Sequence, residues 1–253
     1  MSAGAAVGVS PSPLEALART LVSVAALVGR SVDAQGASPG ADRATARALA
    51  LHRLAGRVAE LHGLRIAVGG ELPQRASVLV CNHLGYWDGV VLGSILPLTA
   101  IAKSEVAGWP LLGRCGEALG VLYVRRGDAH HGARVLRRAL RRLAAGVHVL
   151  NFPEGTTSDG SGLLPFRRGI FGVAMHASVP LVPVGLRLRP ADAAWLGEET
   201  FLPHYRRHWQ RGGRVDASVR FGSALRPGDF DSAEALAAAA HAGVAALLGG
   251  GLS

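Results

Sequence analysis

Residues 78–89 read VLVCNHLGYWDG, and this stretch decides the fold. Its first four residues are apolar without a break, the pattern of a strand buried on both faces. The run passes directly into Asn82, His83 and Gly85, and then into a helix-like segment at 86–95. A buried strand that turns straight into a helix is the repeating unit of an α/β sheet. His83 and Asp88 are five residues apart, about 140° around a regular helix, so they do not share a helix face. They can meet only if His83 stands in the turn and Asp88 in the first helical turns, and Gly85 suits such a turn. There the positive end of the helix favours neutral imidazole, the form that accepts a proton. Asp88 would hold the ring's tautomer and stabilise the imidazolium. The same two residues also suit a purely structural turn, with the histidine at the cap and the aspartate behind it. The pair gains weight only from the blocks around it.

Working outward, the strand–helix alternation continues. Strand-like runs are expected at 65–68, 77–81, 99–102, 121–125, 147–152, 181–188 and 215–221. Helix-like runs fall at 86–95, 107–119, 129–145, 167–177 and 232–248. This order implies an α/β sheet with helices on both faces. Ahead of it, residues 42–63 carry Arg43, Arg47, Arg53 and Arg57 among Ala and Leu at helical spacing. Residues 34–41 (AQGASPGA) form a small-residue linker, and 12–32 read as a helix that lies either on a membrane surface or on the protein's own core. The expected organisation is a helical, membrane-interfacial segment over 1–62 and an α/β domain over 63–253.

Composition limits what such a domain can do. Of 253 residues, 49% are hydrophobic, which excludes intrinsic disorder. The two cysteines, Cys81 and Cys115, exclude a disulfide scaffold. Lys+Arg outnumber Asp+Glu by 27 to 18, a formal charge of +9 that suits an anionic partner. No stretch reaches the roughly 20 apolar residues of a spanning helix, and the first residues lack the basic start of a signal peptide. There is no P-loop, H-E-x-x-H, G-x-S-x-G or zinc-spaced cysteine pair.

Two further blocks end strand-like runs with polar residues. Residues 152–158, FPEGTTS, place Glu154, Thr156, Thr157 and Ser158 where α/β sheets collect ligands, although a plain turn would use the same residues. Residues 120–126, GVLYVRR, end in a guanidinium fork suited to phosphate or carboxylate, or in a merely solvated strand end.

Order and spacing join these blocks. Asn82-His83-x4-Asp88, Gly120-x-x-Tyr123-Val124-x-Arg126, Phe152-Pro153-Glu154-Gly155-Thr156 and the apolar 179–184 (VPLVPV) resemble the four motifs of the glycerolipid acyltransferase family, the PlsC-like 1-acylglycerol-3-phosphate acyltransferases. Lys103 and 165–169 (PFRRG) are similar to further family features, and the resemblance spans roughly 50–225. It implies a mixed, mostly parallel sheet covered by helices, the glycerol-3-phosphate acyltransferase-like fold, preceded by an N-terminal helical segment. It implies an O-acyltransferase moving a fatty acyl chain from acyl-CoA or acyl carrier protein to a lysolipid hydroxyl. His83 would be the base and Asp88 its partner, with no metal, no cofactor beyond the acyl donor and no acyl-enzyme. Glu154, Gly155 and Thr156 would bind the acceptor, and Arg126, Arg167 or Arg168 its anionic headgroup. Backbone N–H groups at the helix start or the Glu154–Gly155 turn would hold the oxyanion.

One position departs from the family: Thr157 stands where an arginine is common, a variant closer to members that acylate lyso-ornithine lipids. The expected location is the cytoplasmic face of a membrane, held peripherally. Arg134, Arg137, Arg138, Arg141 and Arg142 recur at helical spacing and suit anionic lipid, CoA phosphates or plain solvation. Residues 205–214 (YRRHWQRGGR) suit an interfacial anchor or an exposed loop. Cys81, His148 and His176 read as core residues. Two rival functions remain. A non-catalytic lipid- or acyl-binding module would not need both His83 and Asp88. A basic nucleic-acid-binding protein would need motifs the chain lacks and more than 5% aromatic residues.

Overall fold

The computed structural model describes residues 12, 15, 18, 19, 22, 26 and 40–250, apart from 108–111, 126, 197–198 and 211–213. In chain order these form α1 (Gly40–Leu61), β1 (Arg65–Gly69), β2 (Val78–Cys81), α2 (Tyr86–Ile95), β3 (Leu98–Lys103), α3 (Ser104–Ala107), α4 (Leu112–Ala118), β4 (Leu122–Val124), α5 (Ala129–Ala144) and β5 (His148–Asn151). There follow α6 (Gly169–Ala177), β6 (Leu181–Arg189), α7 (Phe201–Gln210), β7 (Asp216–Phe221) and α8 (Ala233–Gly249). The sheet order is β1-β7-β6-β2-β5-β3-β4. Among these strands β6 and β7 pair antiparallel and every other neighbouring pair is parallel. The mixed, mostly parallel sheet and its covering helices are those expected from the sequence.

β2 lies between β5 and β6, and its alternation shows why it is apolar throughout. Leu79 and Cys81 enter the core beneath α1, α2 and α7, with Val91, Leu92 and Leu186. Val78 and Val80 enter the opposite core beneath α5, α6 and α8, with Phe171, Leu181 and Leu236. α5 has a narrower apolar stripe, burying Val135, Ala139 and Leu143 and presenting arginines outward; its cap is Asp128, whose Oδ1 accepts the His131 N–H at 2.8 Å. The parallel strands all end on the same side, which brings the loops after β2, β3, β4 and β5 together.

Several expectations change. Of the helix expected at 107–119, the described residues place Leu112–Ala118 in α4 and Ala107 at the end of α3. The stretch taken as an anchor or exposed loop begins inside α7, where His204 and Tyr205 are buried. Its polar letters hide a packing face: Tyr205 donates its hydroxyl proton toward His62 Nε2 at 2.8 Å, and the His62 Nδ1–H donates to the Val58 carbonyl. Among the described residues the buried histidines are therefore His62 and His204. His176 is exposed in the last turn of α6, and His148 is half-buried with no partner for Nδ1 among the described residues. α1, assigned to the N-terminal segment, packs onto α2 and β3, with Ala55 close to Gly93, while its Ala44 and Ala48 pack with Val147. The readings of 12–32 and of the 34–41 linker fall almost wholly outside the described residues.

Candidate active site

The site begins where β2 stops. Asn82 is buried, and its side chain pairs with the backbone of Leu186: Nδ2–H donates to the carbonyl at 2.9 Å and Oδ1 accepts the N–H at 2.8 Å. This imitates one more strand residue and frees the chain to turn. His83 follows, its Nδ1 2.7 Å from Asp88 Oδ2. The same oxygen accepts the N–H groups of Leu84 (2.6 Å) and Gly85 (2.9 Å). Asp88 thus closes the first turn of α2 from its third position, while its Oδ1 has no partner among the described residues. With the carboxylate on one side, the Nδ1–H donates and Nε2 carries the lone pair. Nε2 has no hydrogen-bond partner among the described residues, and the side chain is 19% exposed. The ring stacks on Phe152 with centroids 4.3 Å apart. Gly85 has an extended backbone, so it is required for a different reason: a Cβ there would lie 3.1 Å from that of Trp195.

The loop after β5 locks this turn. Glu154 is buried; Oε1 accepts the His83 N–H at 2.7 Å and Oε2 the Leu164 N–H at 3.0 Å. Burial raises its carboxyl pKa, and the two backbone donors oppose that rise. Ser158 N–H donates to the His83 carbonyl and Arg167 N–H to the Pro153 carbonyl, each at 2.8 Å. Gly155 has φ +72°, and a Cβ there would stand 2.5 Å from Arg167 Nε. Only glycine combines that conformation with so close a neighbour.

Beside His83 opens a groove of about 740 Å³. Ile101, Val124, Val135 and Ile170 give it an apolar wall, and Lys103, Arg125 and Arg167 give it cations. His83, Gly155 and Arg167 of the sequence-predicted site line it together. Other candidates lie elsewhere. Glu154 turns both oxygens to backbone, Thr156 is exposed while Thr157 lines the groove, and Arg168 reaches Glu234 at 2.9 Å. Arg126 lies outside the described residues. The backbone N–H groups expected for an oxyanion are partly taken: Leu84 and Gly85 serve Asp88, and Gly155 donates to Phe152. Burial pushes the Cys81 thiol pKa up, as befits a core residue. Among the described residues no three His, Cys, Asp or Glu side chains are grouped to hold a metal ion.

Sequence reasoning missed Tyr86 and Trp195, which form part of the wall. Tyr86 Oη lies 3.0 Å from His204 Nδ1, whose ring then donates from Nε2 to the Ala194 carbonyl at 3.0 Å. Trp195 N–H donates to the Leu84 carbonyl at 2.7 Å, beside the catalytic-type turn. No motif spacing marks these residues. Asn82 carried a signal, as a polar residue directly after a buried strand.

An imidazole oriented by a buried carboxylate, with its other nitrogen beside an apolar groove with a cationic rim, is an arrangement that can take a proton from a bound group. Residues 65–187 match the family model described as acyltransferase, and the chain belongs to the acyltransferase family. It is 32% identical to the lyso-ornithine lipid O-acyltransferase of Pseudomonas aeruginosa, over 83% of each chain. It is 34% identical to that of Brucella abortus, over 68% of this chain and 70% of the other. The 1-acyl-sn-glycerol-3-phosphate acyltransferase of Neisseria gonorrhoeae shares 31% identity over 55% and 54%. The crystal structure of the 1-acyl-sn-glycerophosphate acyltransferase PlsC from Thermotoga maritima has the same fold, with TM-score 0.66 at 20% identity, over 92% of this chain and 96% of that one. The protein is thus an acyltransferase.

Proposed function

We propose that the chain moves a fatty acyl group from acyl-CoA or an acylated carrier protein to the hydroxyl of a lyso-ornithine-type lipid. The reading rests on the 2.7 Å contact of His83 Nδ1 with Asp88, which leaves Nε2 beside the groove with no hydrogen-bond partner among the described residues. The acceptor hydroxyl gives its proton to Nε2 as its oxygen attacks the thioester carbonyl. The tetrahedral intermediate collapses by expelling the thiolate, which takes the proton back from the imidazolium. Asp88 stabilises that imidazolium and keeps the ring in the useful tautomer. Arg167 and Lys103 meet the anionic parts of the substrates, and the apolar wall takes the acyl chain. Gly155 lets the loop approach Arg167 closely, and Glu154 acts as a positioning residue through the His83 backbone. Arg126 is kept as a headgroup candidate on the motif alone.

Two observations favour the lyso-ornithine acceptor. Thr157 lines the groove at the place where an arginine is common in the motif, which removes a cation a phosphate would use. The relatives matched over most of their length carry that name. Lysophosphatidic acid is the second reading, favoured by the relatives named for 1-acyl-sn-glycerol-3-phosphate.

Peripheral attachment to the cytoplasmic face of a membrane completes the proposal. Arg134, Arg137 and Arg141 are exposed along α5, whose N-terminal residues line the groove. Among the described residues no helix is long and apolar enough to cross a membrane.

The test is thiol release from acyl-CoA and from acyl carrier protein, with lyso-ornithine lipid and lysophosphatidic acid offered separately. Release with lyso-ornithine lipid, cut by about 10³-fold in His83→Ala, is expected. Release that depends on lysophosphatidic acid alone overturns the acceptor. Equal rates in His83→Ala overturn the base.

A further inference from the structure

Arginines collect at the end of the molecule away from the groove. α5 runs from Asp128, on the groove wall, to Ala144, so Arg142 stands about 20 Å farther along the helix. Arg47 of α1 and Arg142 flank the turn at Gly120. A Cβ on Gly120 would lie 3.3 Å from Arg47 Cβ and 3.9 Å from an Arg142 Nη. The two helices are joined there by a small apolar cluster of Ala44, Ala48 and Val147, against which Ala145 packs. Arg47, Arg138 and Arg142 are half-buried, and Arg43 and Arg141 stand exposed at the rim.

The charges act on one another. Burial lowers the Arg47 pKa, and Arg43 and Arg138 lower it further, against a smaller opposing effect of Glu117. Burial likewise lowers that of Arg142, with Arg47, Arg138 and Arg141 adding to it. No acidic group appears among the causes acting on Arg142. Its Nε is buried without a hydrogen-bond partner among the described residues. A buried charged donor without an acceptor is costly, and crowding like charges around it adds to the cost. Packing alone would be served better by neutral residues. A phosphate group supplies what is missing: negative charge and several acceptor oxygens in a geometry that matches guanidinium forks.

We infer that Arg47, Arg138 and Arg142 form a binding site for a phosphate group, separate from the acyl-transfer groove. The group is a phosphate ester, borne by a phospholipid headgroup or by a soluble phosphate compound. The site is independent of the acceptor and of the His83 chemistry.

Two measurements test it on the full chain. The first compares the thermal midpoint in inorganic phosphate and in chloride at equal ionic strength. Phosphate is expected to raise the wild-type midpoint, and the rise is expected to vanish in Arg142→Gln and shrink in Arg142→Lys, which keeps charge but not the fork. In chloride Arg142→Gln is expected to unfold no earlier than wild type, because a repelling charge has gone. An equal wild-type midpoint in both salts overturns the inference, as does an undiminished rise in Arg142→Gln. The second is flotation with vesicles of phosphatidylcholine, with and without phosphatidylglycerol. If the headgroup is the source, Arg142→Gln binds the mixed vesicles about tenfold more weakly. If the source is soluble, flotation is unchanged while the phosphate-dependent rise is lost. Thiol release by Arg142→Gln with soluble substrates stays at the wild-type rate in either case.

Discussion

The two ends of the sheet treat charge in opposite ways. At the carboxyl ends of the strands, negative groups gather donors: three converge on Asp88 Oδ2 and one reaches each oxygen of Glu154, although Asp88 Oδ1 has no partner among the described residues. At the amino ends, the Arg142 Nε donor and the His148 Nδ1 are buried with no hydrogen-bond partner among the described residues. The first arrangement freezes geometry, because each backbone N–H fixes a carboxylate that in turn fixes a loop. The second leaves potential unsatisfied, which is the property of a surface awaiting a ligand. A matched end suits chemistry that needs a fixed imidazole; an unmatched end suits binding.

Breaking the matched end should have the largest effects. Asp88→Asn keeps an acceptor for the α2 turn but no longer holds the Nδ1–H tautomer, so thiol release should fall about 10²–10⁴-fold while the fold persists. A wild-type rate would show that the carboxylate serves only the helix cap. Glu154→Ala strips the partners from two backbone N–H groups, and urea unfolding should report a loss of roughly 2–4 kcal/mol. A loss within experimental error would mean that water replaces the carboxylate and that the loops are not locked by it. Gly155→Ala should cost about 1–2 kcal/mol, since alanine is strained at φ +72° and Arg167 must move. Its activity loss should exceed the stability loss if Arg167 meets substrate.

The smallest effect lies at the unmatched end and sharpens the contrast. Burial holds the His148 pKa below its ordinary 6.5, so the unfolded chain takes up the proton first as pH falls. That stability is present above pH 6.5 and is lost as pH drops through the lower, folded value. His148→Gln should therefore unfold at a midpoint less sensitive to acid below pH 6.5, measured as midpoint against pH. Parallel curves for the two proteins would mean that the imidazole is solvated.

The sequence showed some of this site and not the rest, and distance along the chain explains the division. His83 and Asp88 were legible because a buried strand and a helix start hold them five residues apart. Glu154 was legible as a polar residue at a strand end, but its bond to His83 depends on β2 lying beside β5. Arg168 read as a headgroup ligand; its ion pair with Glu234 needs α8 folded beside α6. α7 escaped notice because a histidine and a tyrosine make much of its buried face, so no apolar periodicity marks it.

By itself, the sequence determined the alternation of strands and helices, the buried character of β2 and the short reach from His83 to Asp88. These follow from side-chain periodicity and from turns of a few residues, which act locally. Tertiary structure decided the strand order, the placement of Gly155 and Arg167 beside His83, the burial of His204 and Tyr205, and the meeting of Arg47 with Arg142. Each of those joins segments far apart in the chain, and their contact is set by which strands and helices pack together rather than by any local pattern.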